Sequence, residues 1–150
     1  LLLRRMLTPF ATGFVDLQSP AGVGIAGVIY DYDGSVYVSD EARMMARFKN
    51  YYFRLGNVNE NSYQEMFNGE LLRHIITSAC TECLPVCAEC VFQPYCGADP
   101  VRNMSEQGDM IGFRPTNEMC KKTKSIIHYL FELLHKHDPE INRIFWSWIN

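Results

Sequence analysis

Positive charge is scarce in this sequence: 14 Lys and Arg stand against 17 Asp and Glu, a net charge of −3. A chain without a basic face has little to neutralise phosphates with, so nucleic acid is not an expected partner. Long apolar runs are missing too. Leu1–Leu3 is stopped by Arg4 and Arg5, and nothing approaches the roughly 20 apolar residues that cross a bilayer. No membrane partner is expected. No charged, apolar and cleavable leader pattern appears, and the expected compartment is the cytoplasm, where thiols stay reduced. There are no internal repeats, no low-complexity tracts, and no Ser-His-Asp constellation with local support. What remains is globular in balance, 47 % hydrophobic and 21 % charged over 150 residues, one domain's worth of chain.

Cysteine is the residue in excess. Of six, Cys80, Cys83, Cys87, Cys90 and Cys96 crowd one loop, and Cys120 follows at a distance. Thiolates three residues apart are placed to grip one metal centre. A disulfide framework is the competing reading, but close Cys-x-x-Cys pairs suit independent bridges poorly. Thiolates serve zinc and iron–sulfur alike. A zinc site would draw on the pairs Cys80/Cys83 and Cys87/Cys90, with a tight gap between them.

Along the chain, the opening Leu-Leu-Leu-Arg-Arg-Met-Leu reads as the end of a helix broken at Pro9. The expectation is a carboxy-terminal piece of something longer. Phe14–Leu17 reads as a short extended segment closed by a Ser19-Pro20 turn. Gly22-Val-Gly24-Ile-Ala-Gly27 is a GxGxxG string, but it runs into the strand-like Val28-Ile29-Tyr30 rather than opening a helix. A phosphate site is therefore not expected there. Val28–Tyr32 and Ser35–Val38 flank Asp33-Gly34, a pair suited to a type I′ hairpin. Ser39 stands at an N-cap, with Asp40 and Glu41 at the positive end of the helix that follows. Phe53–Val58 adds an extended segment. Ser62-Tyr-Gln-Glu65 matches a capping box, and the helix it opens breaks near Asn68-Gly69 and resumes through Ile76.

From Cys80 to Pro115 nothing is periodic except a turn of helix near Val101–Gln107. A loop this long needs something to order it, and a bound cluster would do so. A helix starts at Thr116 or Asn117 and carries Ile126, Ile127, Leu130, Phe131, Leu133 and Leu134 on a broad apolar face. Asp138-Pro139 caps a last short helix through Trp148. His74 reads as ordinary packing. His135 and His137 read as a solvated helix end with the two rings on different faces. Trp146 and Trp148 either cover the core or dock on a further domain.

Cys83-x3-Cys87-x2-Cys90 also matches CxxxCxxC, the cluster motif of radical S-adenosylmethionine (SAM) enzymes. That assignment fails, because the barrel that follows such a motif needs far more chain than remains after Cys90. The residue before the last cysteine, usually aromatic, is Glu89.

The succession of a hairpin with Asp33-Gly34, then Leu55-Gly56-Asn57-Val58, Cys87-x2-Cys90-x5-Cys96 and a late Cys120 resembles the SPASM domain. Such domains are carboxy-terminal extensions of radical SAM enzymes that carry auxiliary [4Fe–4S] clusters, many of them in peptide maturation. Val15-Asp-Leu-Gln-Ser-Pro-Ala-Gly, Tyr32-Asp-Gly-Ser-Val-Tyr, Ser39-Asp-Glu-Ala-Arg-Met, Pro94-Tyr-Cys-Gly-Ala-Asp-Pro, Gln107-Gly-Asp, Arg114-Pro-Thr and Cys120-Lys-Lys are similar to the maturases of the His-Xaa-Ser peptide-modification system.

The resemblance implies an α+β fold: a small β-hairpin followed by helices and a cysteine-rich cluster-binding loop. It implies residues 1–24 as the end of, or linker from, an upstream radical SAM barrel, 25–136 as the cluster domain and 137–150 as a C-terminal helix. It implies one [4Fe–4S] cluster on Cys87, Cys90, Cys96 and Cys120, with Cys80, Cys83 and Asp99 as ligands in reserve. S-adenosylmethionine would bind only the upstream barrel. That barrel and a precursor peptide are the implied partners, with Asp40, Glu41 and Arg43 facing the peptide. This chain alone would be inactive. Domains with two clusters place further cysteines where this sequence has Ser39 and, near Asp99-Pro100, none. A non-catalytic zinc-binding interaction module is the rival expectation.

Overall fold

The computed structural model describes residues 1–8 and 13–149. Its fold is α+β: one three-stranded antiparallel sheet among helices, in strand order β1-β2-β3. Helix α1 (Leu2–Leu7) comes first and ends in a Thr8 cap; Pro9, where the sequence predicts the break, lies outside the described residues. Phe14–Leu17 forms no strand. It is a bent segment that sinks Phe14 into the interior, and its extended reading came from β-propensity that no neighbouring strand satisfies. The GxGxxG stretch is a loop leading to the sheet, as expected, with one bridge between Val23 and Gly27.

Strands β1 (Ile29–Tyr30) and β2 (Ser35–Tyr37) pair with Tyr30 opposite Val36. Their connection is not a type I′ turn. Only Gly34 in the loop has positive φ, at 83°; the Gly34 amide donates to the Asp31 carbonyl at 3.0 Å and the Asp31 amide to Ser35 at 2.8 Å. A type I turn followed by a left-handed glycine makes a three-residue loop of Tyr32, Asp33 and Gly34. A type I′ turn would require positive φ at Asp33, and Asp33 instead receives the Ser35 amide on Oδ1 at 2.9 Å. Strand β3 (Arg54–Asn57) pairs with β2 across a register shift between Val36 and Tyr37.

The expected caps form. The Ser39 side chain accepts the Ala42 amide at the start of α2 (Asp40–Arg47), and Ser62 and Glu65 close a full capping box on α3 (Tyr63–Phe67). Helix α4 (Glu70–Ala79) follows the break at Gly69. Tyr37, Val38, Ala42, Ala46, Phe53, Ile75 and Val101 form the core between β2, α2, α4 and α5 (Pro100–Gln107). At about 25 cal/mol per Å² of apolar surface, such burial is the main favourable term.

Helix α6 (Glu118–His135) departs from its sequence reading. Only Thr123 and Ile127 are buried on it, while Ile126 and Phe131 each remain 37 % exposed. Phe131 stacks on Phe92 with centroids 6.3 Å apart and meets the edge of Tyr95 at 5.5 Å, so part of the apolar face grips the cysteine loop rather than the core. Helix α7 (Pro139–Ile149) buries Phe145. Trp146 and Trp148 are exposed and do not cover the core. Helix α1 packs on α6, α7 and the Gln93–Tyr95 turn. No helix among the described residues is long and apolar enough to cross a membrane.

Candidate metal centre

The loop after α4 is a chain of tight turns rather than open coil. Thr81–Cys83 and Gln93–Tyr95 are single 3-10 turns. The Cys90 amide donates to the Cys87 carbonyl at 3.0 Å, and the Cys96 amide to the Gln93 carbonyl at 3.1 Å. Asp99 caps α5 through the Arg102 amide at 3.0 Å. At the far end, the Asn117 side chain caps α6 by accepting the Cys120 amide at 2.8 Å. That puts Cys120 in the first turn of an eighteen-residue helix.

The cysteines sort into two groups. Burial raises the pKa of the Cys96 thiol, and the charges of Cys120, Cys87 and Cys90 raise it further, against the lowering bond from the Gly97 backbone. Cys87 is likewise raised, first by burial and then by Cys120 and Cys90, while Arg114 pulls it down. Cys96 thus feels the charges of Cys87, Cys90 and Cys120, and Cys87 those of Cys90 and Cys120, with all four half-buried. Cys80 and Cys83 form a separate pair with their sulfurs 3.6 Å apart. The hydrogen bond to Cys83 raises Cys80 most, followed by burial and Glu82. Glu82 is anchored in turn by Ser19 and Gln93. Among the described residues, no three His, Cys, Asp or Glu side chains close on a point that would hold a single metal ion. An iron–sulfur cubane spreads its thiolates around a cluster, one ligand per iron, and does not require that they meet at one point.

A test of fit lies in Arg114. Its residue is 7 % exposed, and its Nε and Nη2 have no hydrogen-bond partner. Nη1 donates to Asn103 Oδ1 at a long 3.4 Å, and Asn103 is already held by Asn117 Nδ2 at 2.9 Å and by donation to the Met110 and Ile111 carbonyls. The guanidinium lies close enough to Cys87 to favour its thiolate, yet neither Nε nor Nη2 has sound bonding geometry to any partner. A buried, permanently charged group without an anion is costly. An anionic cluster on these thiolates would supply the missing charge, and the donor set fits it. Arg114 appears in the sequence only as part of a phrase of resemblance. Spacing and charge gave no sign of it, because its neighbours come from loop and helix elsewhere.

The other sequence candidates scatter. Asp40 and Arg43 bind each other at 2.7 Å on the surface. Glu41 instead lines a half-enclosed cavity of about 400 Å³ together with Asp16, Ser39, Asp99 and Arg102. Burial, and the charges of Glu41 and Asp16, raise the pKa of Asp99. His74 is exposed, not packed, because the apolar face of α4 is carried by Leu72, Ile75 and Ala79. His135 and His137 do not occupy different faces of one helix. The helix ends at His135, His137 adopts a left-handed backbone with φ of 53°, and the rings approach to 6.0 Å.

Residues 27–91 match the family model of SPASM, an iron–sulfur cluster-binding domain. The matched segment runs from the sheet through Cys80, Cys83, Cys87 and Cys90 and stops before Cys96 and Cys120. Iron–sulfur cluster binding is the chemistry this family carries, and its members occur in radical SAM enzymes. No curated protein and no solved structure matches the chain significantly.

Proposed function

We propose that this chain is the auxiliary cluster domain of a radical SAM enzyme that modifies a ribosomally made peptide. One [4Fe–4S] cluster is held by Cys87, Cys90, Cys96 and Cys120. The observation that carries the reading is a buried guanidinium, Arg114, whose Nε and Nη2 lack hydrogen-bond partners and whose charge acts on Cys87. The family match over the sheet and the first four loop cysteines supports it independently. The wording of the loops favours the His-Xaa-Ser type of precursor peptide as substrate.

A bound cluster of this kind supplies one-electron transfer. The protein's part is to hold and insulate it. Asn117 fixes the Cys120 amide, Phe92 and Tyr95 bind the loop to Phe131, and half-burial of Cys87 and Cys96 limits water. A single cluster is favoured because Ser39 and Asp99, at the positions where two-cluster domains use cysteine, line one cavity. Both have committed an oxygen to a helix cap. Glu41 at the same cavity is the best placed of the three peptide-facing candidates. The upstream barrel of the same chain would bind S-adenosylmethionine.

Anaerobic reconstitution followed by metal analysis tests the assignment. About four irons per chain, the content of one cubane, are expected, with no 5′-deoxyadenosine formed from S-adenosylmethionine and a strong reductant. About eight irons would refute the single cluster. Stoichiometric zinc with no iron uptake would refute the cluster and favour an interaction module.

A further inference from the structure

Among the described residues, Arg114 is the one buried cation that the packing of the protein does not explain. It takes part in no ion pair among the described residues, and its neutral neighbours Asn103 and Asn117 spend their polar atoms largely on each other and on backbone. Arginine cannot escape burial by losing its proton, so the charge persists. A buried cation of this kind either marks a bound anion or weakens the fold. The position of Arg114 is informative as well. It opens the turn Arg114–Thr116 immediately before the Asn117 cap of α6, and so joins the segment that carries Cys120 to the neighbourhood of Cys87.

We infer that Arg114 is a positioning residue for the bound cluster. Its orphan Nε and Nη2 donate to the thiolate side of the cluster at Cys87, and its charge raises the cluster's reduction potential. The inference rests on the ligand assignment proposed above. Its physical basis is that reduction adds one negative charge to the cluster. A fixed cation in a low-dielectric pocket stabilises the reduced form more than the oxidised one, and hydrogen bonds to the sulfurs act in the same direction. The N-terminal end of α6 beside Cys120 adds to the same field.

Arg114→Met removes the charge while keeping apolar bulk, so it is expected to fold. Replacing a buried, unsatisfied charge by a hydrophobic side chain is commonly neutral or stabilising. The metal-free Met variant should therefore unfold at a denaturant concentration equal to or above that of the metal-free wild type. Reconstituted to the same iron content, it should show a lower potential in an EPR-monitored redox titration. A fall of about tenfold in the reduced-to-oxidised ratio at fixed ambient potential, ~59 mV for a one-electron couple, is the expected scale. Arg114→Lys, which restores charge without the planar fork, should recover part of that shift.

Two results would overturn the inference while leaving the ligand assignment intact. One is a Met variant that binds iron with an unchanged potential; the other is a metal-free Met variant clearly less stable than the wild type, which would make Arg114 a structural group. Wild-type protein that takes up no iron would overturn the ligand assignment itself, and the inference with it.

Discussion

Gly97 lies flat against Asp16: a β-carbon built on Gly97 would overlap the Asp16 carbonyl oxygen and fall 3.1 Å from that of Gln18. The residue after Cys96 is thus locked to the bent segment ahead of the sheet, backbone to backbone. No side-chain rotation can relieve such a contact. Only glycine fits.

Gly97→Ala is accordingly expected to displace either the Asp16 segment or the Cys96 turn. Overpacking costs ~1–3 kcal/mol where side chains can yield, and the upper end or beyond is expected against backbone. The denaturation midpoint should fall, and iron retention should fall with it because Cys96 moves. Unchanged stability would show that the segment shifts freely.

The separation of the thiols into two groups predicts unequal mutants. Cys120→Ala should lose most of the reconstituted iron and its visible absorption. Cys80→Ala should keep nearly all of both, since its partner is Cys83 at 3.6 Å. Iron counting on both variants checks this. Equal losses, or loss confined to Cys80→Ala, would redirect the assignment to Cys80, Cys83, Cys87 and Cys90.

Asp99 makes a prediction about pH. Burial, with help from Glu41 and Asp16, raises its pKa in the folded state, so the fold binds its proton more tightly than the unfolded chain does. The resulting stabilisation is complete below the ordinary aspartate value and is lost as pH rises through the raised one. Asn keeps an oxygen to cap the Arg102 amide and carries no charge. Asp99→Asn should therefore exceed the wild type in stability near neutral pH, and the gap should close below about pH 4. Chemical denaturation at several pH values measures it. A gap that is constant with pH would mean that Asp99 is not destabilised by ionisation.

Local chemistry was legible from the sequence wherever the deciding atoms lie within a few residues. Ser39 and its helix, the Ser62/Glu65 box, the break at Gly69, the Asn117 start and the Asp138-Pro139 start all appear as read. Each depends on backbone N–H groups that a neighbouring side chain can reach. The cysteine spacing points to a metal-binding loop for the same reason, because ligand spacing is itself a local property.

Tertiary structure decided the rest. Whether the apolar residues of α6 meet the core or the cysteine loop depends on what packs across from them, and helical periodicity does not contain that. His74 faces outward because the opposite face of its helix took the core. The β-hairpin turn followed the hydrogen bond from Asp31 rather than the Asp-Gly pair. Above all, Arg114 became a candidate only when folding stripped its water and set it beside Cys87. Burial is a property of the whole chain, and no stretch of sequence carries it alone.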